Sequence, residues 1–294
     1  MRLHARVHRS RDGAEIAYRV RSGRDPWVLL HGLGCDGSMW DGVVAALPEG
    51  LGLLIPDIRG HGGSTLGFGV PSVELWAGDV AALIGREGLV RPALAGLSMG
   101  GYTAMALAAL APSLARGYAF ISTAATPDDD AGRARRAAGL ATLQRSGWRR
   151  FAEEMVPLLI DERRPDFARN RDLLMGMFPR AGAAGLAAAL FALAHRLDRR
   201  AALAAIRRPS VVVVGEEDRL TPPDRARAIA AAIPGARLIV LPGVAHMSAL
   251  EAPGEVARAL AGLDPARAAG GAAGGAAIRG GGAGPAPPSG PLPQ

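Results

Sequence analysis

The chain contains no lysine, a single cysteine and few aromatic residues, and each shortage narrows what the protein can be. Cys35 has no second cysteine with which to form an intrachain disulfide, which is typical of a reducing compartment, so we expect a cytoplasmic protein. The first residues, Met1 to Arg6, are polar and offer no apolar signal-peptide core. The longest apolar helical stretches, 103–111 and 185–194, are shorter than the ~20 residues that a spanning helix needs, so we expect no membrane partner.

All of the basic residues are therefore arginines, and the net charge is +7. The segment 133–208 contains 16 Arg against 7 Asp and Glu, an excess larger than that of the whole chain. One interpretation is a solvated surface; the other is that some of these side chains attract an anionic substrate or an acidic carrier protein. The candidates are Arg133, Arg135, Arg136, Arg149 and Arg150. Aromatic residues do not interleave with them, so we do not expect a nucleic acid partner.

Short apolar runs alternate with helical patterns along most of the chain. The predicted strands are Glu15–Val20, Trp27–Leu30, Leu51–Ile55, Ala93–Leu97, Tyr118–Ser122, Ser210–Val214 and Arg237–Leu241. The predicted helices are 39–47, 71–84, 102–111, 224–233 and, after the last strand, 255–260. Alternating helices and buried strands predict a parallel sheet covered on both faces.

The alternation stops between residues 127 and 206, where only helical periods are found. The sequence thus predicts an α/β fold: a doubly wound, mostly parallel sheet flanked by helices, with a helical cap inserted after the sixth strand. We expect the core domain to comprise 1–126 and 207–264, and the cap to comprise 127–206. Residues 265–294 are Gly, Ala and Pro with almost no large apolar residue, so we expect a disordered tail.

The segment Gly96-Leu97-Ser98-Met99-Gly100 joins an apolar run to an Ala-rich helical pattern. In a strand–turn–helix context, Gly-x-Ser-x-Gly indicates a nucleophilic serine, whereas an isolated match would equally suit an ordinary turn. A serine at the tip of so tight a turn has a strained backbone, and glycines two residues before and after it avoid a collision. The turn also directs the Met99 amide toward the serine, at a helix start that favours negative charge.

A serine nucleophile needs a base, and the base needs an acid to orient it. Functional groups of open α/β sheets lie beyond the carboxyl ends of the strands. His246 follows the last predicted strand, and Asp218 follows the strand Ser210–Val214. The sequence therefore predicts Ser98, Asp218 and His246 as a catalytic triad, with Glu216 or Glu217 as alternative acids.

These motifs resemble those of the α/β-hydrolase superfamily over about residues 13–262. His31-Gly32-Leu33-Gly34 resembles the family's oxyanion loop, and the resemblance implies that the amides of Leu33 and Met99 form the oxyanion hole. Asp57-Ile58-Arg59-Gly60-His61-Gly62-Gly63-Ser64 resembles a mainly structural loop of the family. The runs 33–40 and 97–101 are similar to enol-lactonases and small carboxylesterases.

The resemblance implies a serine hydrolase that cleaves a small carboxylic ester or lactone through an acyl-enzyme, without cofactor or metal. An acyltransferase, a perhydrolase and a non-catalytic ligand-binding protein are the alternatives. We expect a monomer or homodimer acting on a small molecule. His31, Trp40, Trp148 and Phe151 are candidate substrate-binding residues. Further apolar residues that could line the acyl site, or simply fill the cap, are Met155, Leu159, Met175, Phe178 and Phe191.

Overall fold

The computed structural model describes residues 2–263, and the expected tail at 265–294 lies outside them. The described part of the chain forms eight strands, which are β1 (His4–Arg9), β2 (Glu15–Arg21), β3 (Arg24–Leu30), β4 (Leu51–Pro56), β5 (Ala93–Leu97), β6 (Gly117–Ile121), β7 (Ser210–Gly215) and β8 (Arg237–Leu241). They form one sheet in the order β1-β2-β4-β3-β5-β6-β7-β8.

The six strands from β4 to β8 in this order run parallel, whereas β1 and β2 are antiparallel to their neighbours. The central strands β4, β5, β6 and β7 are buried at every position, as a sheet covered on both faces requires. The mostly parallel α/β sheet predicted from the sequence is confirmed. The sequence did not predict β1.

The nine helices in residues 2–263 are α1 (Asp41–Ala46), α2 (Val73–Arg86), α3 (Met99–Leu110), α4 (Asp130–Leu159), α5 (Phe167–Ala194), α6 (Arg200–Ala204), α7 (Pro223–Ala232), α8 (Ser248–Glu251) and α9 (Pro253–Ala261). A 3₁₀ turn, Gly37–Trp40, precedes α1. Helices α2, α3 and α7 pack in one apolar cluster with residues of the sheet, and α1, α9 and the apolar residues of α4 pack in another. The sheet thus divides the core into two apolar layers. The carboxyl ends of its parallel strands lead into the loops that carry the candidate site.

Helices α4 and α5 lie between β6 and β7 and pack against each other. Each is broken by a glycine with positive φ, Gly147 at +75° in α4 and Gly182 at +61° in α5. The short helix α6 packs instead against α3 and α7. In the described chain, α5 alone is long and apolar enough, by length and composition, to cross a bilayer. Half of the residues in its most apolar stretch are buried inside the protein. The break at Gly182 also divides it into two shorter helical parts.

Candidate active site

Ser98 lies at the turn between β5 and α3 with φ of +53° and ψ of −111°. This left-handed conformation is uncommon for a residue with a side chain and costs on the order of 1–3 kcal/mol. The Ser98 amide donates to Ile121 O at 2.9 Å, and its carbonyl accepts from Gly101 N at 2.9 Å and Thr123 Oγ1 at 3.0 Å. Bonds on both sides of the turn therefore hold the strained residue in place.

The two glycines of the motif are required for different steric reasons. A Cβ built at Gly96 would lie 2.2 Å from the carbonyl oxygen of Gly100, so the backbone on the far side of the turn leaves no room for a side chain at position 96. A Cβ at Gly100 would instead lie 2.1 Å from the carbonyl oxygen of Leu30 on β3. Gly96 thus avoids a collision across the turn, as the sequence predicts, whereas Gly100 allows close approach of α3 to the neighbouring strand.

His246 and Asp218 meet at the carboxyl end of the sheet, in the loops after β8 and β7. The Nδ1 of His246 lies 2.9 Å and 3.0 Å from the two Asp218 carboxylate oxygens. Because a carboxylate only accepts, Nδ1 carries the proton and donates it, which leaves Nε2 free to act as a base. Both side chains are buried, at 2% and 0% exposed.

The other hydrogen bonds to the Asp218 carboxylate come from the turn that follows it. The amides of Leu220 and Thr221 donate to one carboxylate oxygen at 3.0 Å and 2.8 Å, and the Thr221 hydroxyl donates to the other at 2.8 Å. Burial opposes ionisation, yet His246 and the Thr221 hydrogen bonds hold the pKa of Asp218 below its usual value. Asp218 therefore stays ionised and can stabilise an imidazolium.

The alternative acids lie elsewhere. Glu217 pairs with Arg163 at 3.0 Å, and Glu216 accepts from the Gly243 amide at 3.3 Å. Asp218 is thus the carboxylate that holds His246 in the structure.

The sequence did not single out Glu251 on α8, another buried carboxylate close to His246. Its oxygens accept the amide hydrogens of Ala245 at 2.7 Å and Asp161 at 2.8 Å. Glu251 thereby ties the residue before His246 to the link between α4 and α5. The backbone bond from Met247 N to Leu159 O, at 2.9 Å, reinforces the same tie. The His246 loop is thus anchored to the helical insert as well as to the sheet.

The predicted oxyanion loop, 31–34, follows β3 and presents the amide of Leu33, and α3 begins with the amide of Met99. Neither amide has a hydrogen-bond partner in residues 2–263. The amides of a first helical turn are left unpaired by helix geometry, and they favour negative charge. Leu33 and Gly32 line the same cavity as Ser98, so the loop faces the serine.

His31 shapes this loop from within the core. Its Nδ1 donates to Gly32 O at 2.8 Å, while its Nε2 accepts from the Ile58 amide at 2.8 Å. Complete burial lowers the pKa of His31 to about 4, so the ring is neutral at physiological pH. His31 does not line the cavity, and its predicted contact with substrate is therefore replaced by a role in loop geometry.

Helix α5 presses on the oxyanion loop at two points. The ring of Phe178 occupies the space where a Cβ of Gly34 would lie, and Gly34 has φ of +73°. The Arg180 guanidinium pairs with Asp36 at 2.5 Å. Asp36 in turn accepts from the Ser38 amide at 2.9 Å and caps the 3₁₀ turn. The loop that presents the Leu33 amide is consequently held by residues of the insert.

A cavity of about 290 Å³ contains Ser98 and His246 and runs beneath α4 and α5. This volume is at the small end of the range for ligand sites. Its apolar wall is formed largely by Phe151, Met155, Leu158, Leu159, Leu190 and Leu193. Its charged wall is formed by Asp128, Asp129, Arg135, Arg136, Glu154, Arg196 and Arg225.

Of the four predicted substrate-binding residues, Phe151 alone lines this cavity. Trp40 is fully buried in the core, because the 3₁₀ turn directs its ring inward, and its predicted contact with substrate is wrong. Trp148 packs against the apolar core and stacks under Arg149, away from the cavity wall. Among the other apolar candidates, Met155 and Leu159 line the cavity, whereas Met175, Phe178 and Phe191 do not.

The loop Asp57–Ser64 ties segments together. Asp57 accepts from the amides of Gly37 and Gly63 at 2.7 Å and 2.8 Å. Arg59 is buried between Asp79 and Asp12. His61 is fully buried, packs against His31 with ring centroids 5.3 Å apart, and does not line the cavity. These contacts agree with a structural role for the loop.

Cys35 is buried in the core rather than in the cavity wall. Burial raises the pKa of its thiol, so it has no reactive character. Across residues 2–263, no group of three or more His, Cys, Asp or Glu side chains is arranged to hold a metal ion.

Relatives of known structure share this fold over most of its length. An esterase from Thermogutta terrifontis, in a structure with malate bound, is 31% identical, with a TM-score of 0.80 over 88% of this chain and 97% of that one. The enol-lactonase from Burkholderia xenovorans LB400 is 29% identical, with a TM-score of 0.77 over 85% of this chain and 96% of that one.

Sequence comparison leads to the same group of proteins. A pimeloyl-[acyl-carrier protein] methyl ester esterase from Aromatoleum aromaticum is 30% identical over 80% of this chain and 96% of its own length. The model of the alpha/beta hydrolase family matches residues 27–259, which include Ser98, Asp218 and His246. The chain therefore belongs to the alpha/beta hydrolase family, as its separated motifs predicted.

Proposed function

We propose that the protein is a serine hydrolase that cleaves a small carboxylic ester or lactone through an acyl-enzyme on Ser98. The observation that carries this proposal is the pairing of buried His246 with Asp218 while His246 shares a cavity with Ser98 and Leu33. A base oriented by an acid, beside a strained serine and free amides, is the arrangement that acyl transfer requires.

In the first half of the reaction, Ser98 Oγ attacks the carbonyl carbon and its proton passes to Nε2 of His246. The amides of Leu33 and Met99 stabilise the oxyanion. In comparable sites, removal of one such donor lowers kcat by about 10²–10³-fold. The carbon–oxygen bond to the alcohol then breaks, and His246 returns the proton to the leaving oxygen. Asp218 stabilises the imidazolium between these two steps.

In the second half, water attacks the acyl-enzyme and gives its proton to His246. The carboxylic acid leaves, and Ser98 recovers its proton. For a lactone the leaving alcohol stays attached to the acyl group, so one hydroxy acid is the product. The relatives named as a methyl ester esterase, an esterase and an enol-lactonase support this range of substrates.

The small cavity and its apolar wall favour a short acyl group beside Ser98. Hydrolysis of methyl and p-nitrophenyl esters of increasing acyl length, and of small lactones, tests the proposal. We expect turnover that decreases beyond short chains and that Ser98→Ala reduces by about 10⁴-fold or more.

Hydrolysis in ¹⁸O-labelled water identifies the second nucleophile. The proposal predicts one ¹⁸O atom in the carboxylic acid released. Products without the label, or transfer of the acyl group to another acceptor, would instead favour an acyltransferase or a perhydrolase.

A further inference from the structure

The wall of the cavity carries four arginines that acyl transfer does not use. We call Arg135, Arg136, Arg196 and Arg225 the basic cluster. Two come from α4, one follows α5 and one lies on α7, so the fold brings together distant parts of the chain. All four line the cavity that contains Ser98 and His246. A ligand that fills this cavity would therefore contact the basic cluster as well as Ser98 and His246.

The basic cluster is organised around the segment between β6 and α4. Arg196 donates to Thr126 O at 3.0 Å, and Arg225 donates to Thr126 Oγ1 at 3.0 Å. Asp128 pairs with Arg196 at 2.8 Å and with Arg136 at 3.0 Å. Three of the four guanidinium groups are thus held against residues 126–128.

The acidic residues of the cavity wall are already partnered. Asp128 is shared by two guanidinium groups, which contribute to holding its pKa below the usual value although burial opposes ionisation. Glu154 pairs with Arg150 at 2.9 Å, outside the cavity. The Asp129 carboxylate accepts the Gly132 amide at 2.7 Å and caps α4.

The basic residues are not fully partnered in return. The Arg135 side chain makes no ion pair or hydrogen bond within residues 2–263, and Arg225 there has a neutral partner, the Thr126 hydroxyl. Arg196 is 8% exposed, and its Nε is buried without a hydrogen-bond partner in the same range. The Arg196 guanidinium also stacks on the ring of Tyr102, 4.4 Å from its centroid. The wall therefore holds positive charge and N–H donors that have no hydrogen-bond partner among residues 2–263.

We propose that the basic cluster binds an anionic group of the substrate, in the simplest case a carboxylate, while the ester carbonyl of the same molecule lies at Ser98. Guanidinium groups bind carboxylates through paired, charge-assisted hydrogen bonds. The preferred substrates are then half-esters of short dicarboxylic acids rather than neutral esters. This inference rests on the proposed ester hydrolysis and specifies its substrate class.

The structure also separates this subsite from the general positive charge of the insert. Of the five arginines that the sequence singled out, Arg133 pairs with Asp130, Arg150 with Glu154, and Arg149 stacks on Trp148. Arg135 and Arg136 line the cavity. A small anion inside the cavity would contact Arg135 and Arg136, whereas an acidic carrier protein would contact arginines outside the cavity.

The test compares each methyl half-ester of a C4–C7 dicarboxylic acid with the methyl ester that carries a terminal carboxamide in place of the carboxylate. We expect kcat/KM to favour the half-ester by about 10-fold or more at its best length, in line with a charge-assisted hydrogen bond. Arg135→Gln and Arg225→Gln should each bring this ratio toward one. The matched control is Arg145→Gln, an exposed arginine of α4 outside the cavity wall, which should keep the wild-type ratio.

Equal kcat/KM for half-esters and carboxamides at every length would overturn the inference while leaving ester hydrolysis intact. The same loss of preference in Arg145→Gln would also overturn it, because the effect would then come from diffuse surface charge. Calorimetric binding of the best half-ester to Ser98→Ala separates the subsite from the chemistry. If adding Arg225→Gln to Ser98→Ala weakens this binding by about 10-fold, the subsite is supported even if the enzyme shows no turnover. If the added substitution leaves binding unchanged, the subsite is contradicted.

Discussion

The Glu251 carboxylate accepts the amide hydrogen of Ala245 at 2.7 Å, one residue before His246. Its other oxygen accepts the Asp161 amide, so a single buried carboxylate joins the histidine loop to the insert. Burial raises the pKa of Glu251, and the two amides act against that effect. We therefore expect Glu251 to position His246 rather than to take part in the chemistry.

We expect Glu251→Gln to lower kcat by about 10-fold with little change in KM. The glutamine has the same size, but its NH₂ group faces one of the two amide donors, which leaves a buried donor unpaired at about 1–3 kcal/mol. Steady-state kinetics and the rate of fluorophosphonate labelling measure the effect. Glu255→Gln, on the exposed surface of α9, is the matched control and should match wild type. Equal kinetics in the two variants would remove the positioning role.

The contact of Arg180 with Asp36 holds the oxyanion loop from the side of the insert. Arg180→Gln should lower kcat about 5- to 10-fold, because a looser loop would present the Leu33 amide less accurately and we propose that this amide stabilises the transition state. Arg171→Gln, an exposed arginine on the same helix, controls for lost charge. A variant with raised KM and unchanged kcat would contradict this account, since it would indicate a role in binding alone.

The cavity wall includes Phe151 but not Trp148, although both are large apolar residues of α4. Phe151→Leu should therefore shift the preferred acyl length toward longer chains, because it removes ring volume from a small cavity. Trp148→Leu should leave the length profile unchanged. Ratios of kcat/KM across an ester series measure the shift, and a shift in the Trp148 variant instead would place the acyl site elsewhere.

Two buried histidines give stability a definite pH dependence. Burial lowers the pKa of His31 to about 4 and that of His61 to about 3, from 6.5 when unfolded. Between these pH values the unfolded chain binds more protons than the folded protein. The contribution of the two histidines to the free energy of unfolding is therefore complete above pH 6.5 and is lost as the pH falls toward 4 and 3. Each histidine contributes on the order of 3 kcal/mol to this loss.

His61→Asn removes one titrating ring while keeping a donor for Arg59 O. Denaturant titrations between pH 7 and pH 4 should show a flatter pH dependence for this variant, whatever its absolute stability. His4→Asn, on the exposed strand β1, controls for the removal of a histidine. An unchanged slope in His61→Asn would show that this ring does not couple folding to pH.

The central strands and the chemical motifs could be predicted from the sequence because burial and chemistry leave local patterns. β7 is a run of valines, and Gly96 and Gly100 flank Ser98 at the spacing that the turn demands. In contrast, β1 is an edge strand of the sheet formed by residues 2–263 and is almost entirely exposed, so it lacks the apolar pattern of a strand.

The residues of the cavity wall depend on long-range packing. Trp40 is directed into the core by a 3₁₀ turn whose geometry the sequence does not express. Arg225 and Arg135 are distant in the chain and meet only when the insert folds over the sheet. Glu251 has the composition of a surface glutamate, and only the fold shows that two amides face it.

The most direct test of the central claim is mass-spectrometric mapping of the adduct formed with a fluorophosphonate. We expect one adduct, on Ser98, that is absent in Ser98→Ala and forms at least about 10³-fold more slowly in His246→Ala. An adduct on another residue, or equal labelling rates in wild type and His246→Ala, would contradict the claim that His246 and Asp218 activate Ser98.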